Sequence, residues 1–172
     1  MSNVLERLAK GDRRTTGAAD AVADEIKDDP ALFDKVFSGL YSDDPGLRMR
    51  AADALEKASA DNPSLLSSHK KALLGDIGII PQQEVQWHVA QMLPRCELTS
   101  SEKELATDLM RHYFDTSKSN IVRVFALQAI NDIATQDPRF RPTANAYIQQ
   151  ALDSEAPSLR SRARRLAIQS EA

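Results

Sequence analysis

The sequence predicts an all-α protein, a curved solenoid of about five helical pairs with ten helices. Three observations carry this: an internal repeat, a helical spacing of apolar residues, and prolines at the breaks. Four segments, Leu47 to Leu55, Val85 to Leu93, Val122 to Ile130 and Leu159 to Ala167, align residue for residue, and their first residues lie 38, 37 and 37 positions apart. Ala18-Ala19-Asp20-Ala21-Val22 echoes Ala51-Ala52-Asp53-Ala54-Leu55 further upstream. A constant period of this length is the signature of stacked helical pairs, because one pair cannot bury its apolar stripe alone.

The elements follow in order from the punctuation. Helices are predicted over 2–10 and 15–28, the second carrying the Ala18–Val22 echo. Asp29-Pro30, Asp44-Pro45 and Asn62-Pro63 each pair a favoured N-cap residue with a proline at the first helical position, and so open helices over 30–42, 45–60 and 63–77. After Ile80-Pro81 a helix over 82–97 has the stripe Val85, His88, Val89, Met92, Leu93 and Cys96, with Pro94 expected to kink or shorten it. A helix over 100–115 precedes one over 119–136, whose stripe is Val122, Phe125, Ala126, Ala129, Ile130 and Ile133. Asp137-Pro138 marks the next turn, Pro142 starts the helix over 140–153, and Ala156-Pro157 opens the last, over 157–169. No segment alternates with period two, so no strand is predicted. The repeats fall at roughly 1–28, 30–60, 63–97, 100–136 and 140–169 of a single domain spanning 1–172. Short connections make successive helices antiparallel neighbours.

With 172 residues, 42% of them hydrophobic and 27% charged, the chain has the composition of a folded protein with a sizeable core. A formal net charge of −3 opposes bulk attachment to nucleic acid or anionic lipid. The single cysteine, Cys96, excludes an internal disulfide framework and suits a reducing compartment. The first residues lack the basic end and apolar run of a signal peptide. No apolar stretch approaches the roughly 20 residues of a membrane span. These features together predict a soluble, cytoplasmic protein with no membrane partner.

A search for chemistry is largely negative. His69, His88 and His112 belong to three different predicted helices, and none has a second ligand at metalloprotease spacing. Asp108 and Asp115 flank His112 as a surface cluster. His88 occupies the position of Phe125 one repeat later, which suits a half-buried packing histidine. Cys96 shares the column of Ile133 and Ala58, an apolar position expected to hold an inert thiol. Gly75-Asp76-Ile77-Gly78 lacks the spacing and the lysine of a phosphate loop, and there is no Gly-x-Ser-x-Gly turn. The expectation is a non-enzyme with no catalytic residue, no metal and no cofactor.

The segment Asp44-Pro45-Gly46-Leu47-Arg48-Met49-Arg50-Ala51-Ala52-Asp53-Ala54-Leu55 resembles the HEAT-repeat family of α-solenoids. The likeness weakens to Ser119-Asn120-Ile121-Val122-Arg123 and to Ala156-Pro157-Ser158-Leu159-Arg160, and Gln86 stands where the arginine belongs in the third unit. The period is short of the roughly 40–47 residues of such repeats. The resemblance implies a right-handed solenoid whose second helices line a concave face, used by family members mostly to bind macromolecules. It also implies a ladder between the turn acid and the following arginine, here Asp44 with Arg48, then Arg123 and Arg160.

Two features bear on a partner. Charge is uneven: residues 1–16 carry +2, residues 17–138 carry −8 and residues 139–165 carry +4. The basic end holds Arg160, Arg162, Arg164 and Arg165, which suit either an acidic partner or the solvated cap of a terminal repeat. Met49, Trp87 and Val124 fall at one equivalent position, completed by Ser161. That column either packs between repeats or forms an apolar strip on the concave face, where Trp and Met are common anchors. The candidate partner-binding residues are therefore Met49, Trp87, Val124, Arg123, Arg160, Arg162 and Arg164, and the expected role is a non-catalytic scaffold or adaptor for a protein. The alternative is a nucleic-acid-binding protein related to HEAT-like alkylpurine DNA glycosylases. Against it stand the acidic middle of the chain and the want of an assignable aromatic or carboxylate partner for Trp87.

Overall fold

All regular structure among the described residues is helical. The computed structural model describes residues 3–11 and 15–171, with side chains through 169. Ten α-helices are present among them: α1 (Val4–Ala9), α2 (Ala19–Asp28), α3 (Leu32–Phe37), α4 (Pro45–Asp61), α5 (Lys70–Leu74), α6 (Gln83–Met92), α7 (Ser100–Thr116), α8 (Asn120–Gln136), α9 (Arg141–Leu152) and α10 (Pro157–Glu171). None is long and apolar enough to cross a membrane.

Local chemistry explains where these helices begin and end. At α4 the Asp44 carboxylate accepts the Gly46 N–H at 2.8 Å, with Pro45 at the first helical position. At α7 Thr99 and Glu102 form a reciprocal capping box, in which the Glu102 carboxylate accepts the Thr99 N–H at 2.8 Å. α6 stops at Met92, and the chain passes through a 3₁₀ turn, Leu93–Arg95, around Pro94.

Three predicted helices differ. The one expected over 15–28 begins at Ala19, because Gly17 takes a left-handed φ of 54° that breaks the helical path. The one expected over 30–42 starts at Leu32, with Asp29 accepting the Ala31 N–H, and tightens into a 3₁₀ turn over Ser38–Tyr41. The one expected over 63–77 is broken into a 3₁₀ turn, Pro63–Leu66, and the short α5, which Gly75 ends. Ser64 donates to the Asn62 side chain at 2.6 Å, so that pair serves a turn instead of a helix cap.

The chain divides into two compact units, Met1–Cys96 and Glu97–Ala172. In the first, α4 is the centre: α2 and α6 pack on it, as do α1 and α3. It buries Leu47, Ala51, Ala52, Ala54, Leu55 and Ala58. The alanines let neighbours approach closely, and so does Gly39, where a Cβ would lie 3.1 Å from the Ala51 methyl and 3.2 Å from Leu5. In the second unit α8 packs against α7, α9 and α10, and α9 against α10. Val122, Ala126, Ala129, Ile130 and Ile133 of the α8 stripe are buried there, while Phe125 is half-buried.

Candidate functional site

In the first unit, α4 and α6 project neighbouring side chains into one pocket of 220 Å³. α4 supplies Met49, Arg50 and Asp53, and α6 supplies Trp87 and His88. Met49 and Asp53 are four residues apart, one helical turn, so they share a face. Thr15 and Thr16, ahead of α2, complete the wall. Met49 and Trp87 are both half-exposed, so the indole and the thioether form an accessible apolar surface. A wider depression of 410 Å³, bounded by Gly46, Arg48, Gln82 and Glu84 among others, meets this pocket at Met49.

The polar floor of the pocket is tightly bonded. His88 is buried, and its Nδ1–H donates to the Glu84 carbonyl at 2.6 Å. Its Nε2 accepts the Trp87 Nε1–H at 3.2 Å and lies 3.4 Å from Asp53 Oδ1. Lys57 joins the other Asp53 oxygen at 2.8 Å and also pairs with Asp20. Burial pushes the Asp53 carboxyl up, but its neighbours His88 and Lys57, the latter through a hydrogen bond and its charge, outweigh it and hold the group below the usual carboxylate range. Lys57 is moved the other way: burial lowers it, and its two carboxylate partners raise it above the usual lysine value. Arg50, almost wholly buried, donates Nε–H to the Leu8 carbonyl and Nη2–H to the Ala9 carbonyl at 3.2 Å, which ties α1 to α4. With its charges engaged, the pocket is built to receive an apolar or aromatic group against Trp87 and Met49.

The structure brings Met49 and Trp87 together and places Val124, Arg123, Arg160, Arg162 and Arg164 in the second unit. Val124 is half-exposed on α8. Arg123 donates Nε–H to the Phe114 carbonyl at 3.1 Å and lies 4.9 Å from that ring's centroid. Arg160 donates to the Ser154 and Glu155 carbonyls at 2.9 and 3.1 Å. Arg48 likewise holds the Ser42 carbonyl at 2.7 Å, and its Nε–H reaches Gln82 at 2.8 Å. The expected acid–arginine ladder is therefore replaced by three arginines that each bond a backbone carbonyl upstream of their own helix, Arg48 and Arg160 in the preceding turn and Arg123 in the last turn of α7. A guanidinium reaches backward to unsatisfied carbonyls more readily than along the stack to Asp44, which is occupied in capping α4. Arg162 is half-buried and Arg164 exposed.

Sequence reasoning missed Asp53, Arg50 and the two threonines. It also found no carboxylate for Trp87, whereas Asp53 shares the pocket with it through His88. One signal was present: Asp53 stands at the repeat position of Gln91 and Gln128, three residues past the His88 column. The other histidines are differently used. His69 bonds Asp34 at 2.7 Å and stacks on Phe37 with centroids 3.9 Å apart. Around exposed His112, Asp108 pairs with Arg111 at 3.1 Å and Asp115 accepts the Tyr147 hydroxyl at 2.8 Å. Cys96 is buried.

No family model matches the chain, and neither does any curated protein or solved structure.

Proposed function

We propose that this chain is a HEAT-like repeat protein, a right-handed solenoid of about five helical pairs, that binds a protein partner without catalysis. The observation that carries the reading is the meeting of Met49 and Trp87, half-exposed and from equivalent repeat positions, in the wall of one pocket. Side-by-side packing of α2 and α6 on α4 supports the repeat architecture within the first unit. The pocket has room for one large apolar side chain, and the adjoining depression at Met49 extends the surface along the helix starts. An amphipathic segment that seats an aromatic or aliphatic anchor beside Trp87 matches this arrangement, since buried anchors supply most of an interface's energy.

The test is photo-crosslinking from position 49 in an extract of the source cell, repeated with Trp87→Ala. Loss of a discrete crosslinked protein in the variant supports the reading, and an unchanged pattern refutes it. A second reading, the nucleic-acid-binding alternative, gains one observation: an aromatic ring and a carboxylate, Trp87 and Asp53, line the same pocket. Fluorescence anisotropy with a short labelled DNA duplex separates the two. Binding that Trp87→Ala abolishes would favour nucleic acid over protein.

A further inference from the structure

The repeat position that follows the Met49 column is occupied by Arg50, His88, Phe125 and Arg162. In the first unit His88 turns back to Asp53 on the preceding helix of the same column, so its ring faces a carboxylate. In the second unit Arg162 of α10 turns back in the same way to α8, but the residue at the Asp53 position is Gln128. The guanidinium lies 5.7 Å from the Phe125 ring centroid and donates Nη1–H to Gln128 Oε1 at 2.8 Å. Gln128 is fixed in that orientation, because its own amide N–H donates to Asp132 at 2.7 Å.

A cation on this floor is therefore met by a neutral amide. The Arg162 Nε is buried without an acceptor, and no carboxylate forms an ion pair with the group among the described residues. One turn along α10, exposed Arg165 adds a second positive charge that is also without an ion pair among the described residues. Burial, then repulsion from Arg165, depresses the Arg162 pKa, with Asp132 acting the other way. A guanidinium beside an aromatic ring, with its Nε unpaired and a second cation next to it, suits the recognition of an oxyanion.

We propose that Arg162 and Arg165 form an oxyanion site that takes a carboxylate or phosphate group of a partner between their two guanidinium groups. The incoming anion supplies the negative charge that Asp53 supplies in the first unit. The site lies wholly within the second unit and does not depend on what occupies the Trp87 pocket.

Thermal unfolding of the full chain in chloride, acetate and inorganic phosphate at matched ionic strength tests this. The unaltered protein should melt about 2–4 °C higher in phosphate than in chloride. A similar rise in acetate shows that a carboxylate suffices, and a rise in phosphate alone assigns the site to phosphate groups. Arg165→Gln, an exposed change, should remove most of the rise, and Arg162→Met all of it. The paired exchange Gln128→Glu with Asp132→Asn moves a carboxylate to Arg162 at constant net charge. It should raise the melting temperature in chloride and cancel the anion response. An equal rise in all variants, or none in the unaltered protein, overturns the proposal.

Discussion

The carboxylate of Asp53 and the imidazole of His88 sit 3.4 Å apart, and both line the pocket that Trp87 and Met49 wall. Their pairing, completed by Lys57 at 2.8 Å, sets a pH dependence whose sign is fixed.

The Asp53 carboxyl is held below its ordinary value, so its contribution to stability is full above about pH 4, the ordinary range for aspartate, and is lost as pH falls through the depressed value. Asp53→Asn should be less stable than the unaltered protein at pH 6, and the difference should shrink towards pH 3. Melting curves across that range check it. A gap that stays constant down to pH 3 would mean that the Asp53 charge contributes nothing to folding.

Arg50 should prove to be the fastener of α1. Arg50→Met keeps most of the side-chain stem but leaves the Leu8 and Ala9 carbonyls without this donor, at a cost of about 1–3 kcal/mol. Hydrogen exchange should speed up in residues 3–11 well before it does in α4. Uniform exchange across both segments would show that α1 is anchored by other contacts.

Ile130, fully buried on α8, should cost about 2–5 kcal/mol when cut back to alanine, because the site is enclosed and cannot collapse completely. Urea denaturation measures this. A loss under about 1 kcal/mol would contradict the packing of α8 against α9 and α10.

Trp87 is the sole tryptophan and is half-exposed, so acrylamide should quench its emission. Trp87→Ala should retain the helical circular dichroism of the unaltered chain, because the indole stands at the mouth of a pocket instead of within a core. Collapse of the helical signal would assign Trp87 to packing and remove it as an anchor.

The sequence alone determined that the chain is all helical, where most helices start, and which faces are buried. These properties are local. The stripe Val122, Ala126, Ala129, Ile130 and Ile133 is legible because side chains three and four apart share a helix face, and all five are buried. The end of α6 before Pro94 and the start of α4 at Asp44-Pro45 follow from backbone chemistry within a few residues. Where local signals were weaker, as over 63–77, the helical reading overran a turn that Pro63 and Gly75 confine.

The tertiary structure alone decided which polar groups meet. The repeat period placed Met49 and Trp87 in one column, but their sharing of a pocket depended on how α6 lies against α4. It did not reveal that His88 turns to Asp53, that Arg48, Arg123 and Arg160 turn to carbonyls, or that Arg162 turns to the Gln128 amide. Repeat spacing specifies position along a helix. The partner of a long polar side chain depends on helix register, on rotamer and on which neighbouring acceptors are already taken, and those are settled only when helices distant in sequence pack together.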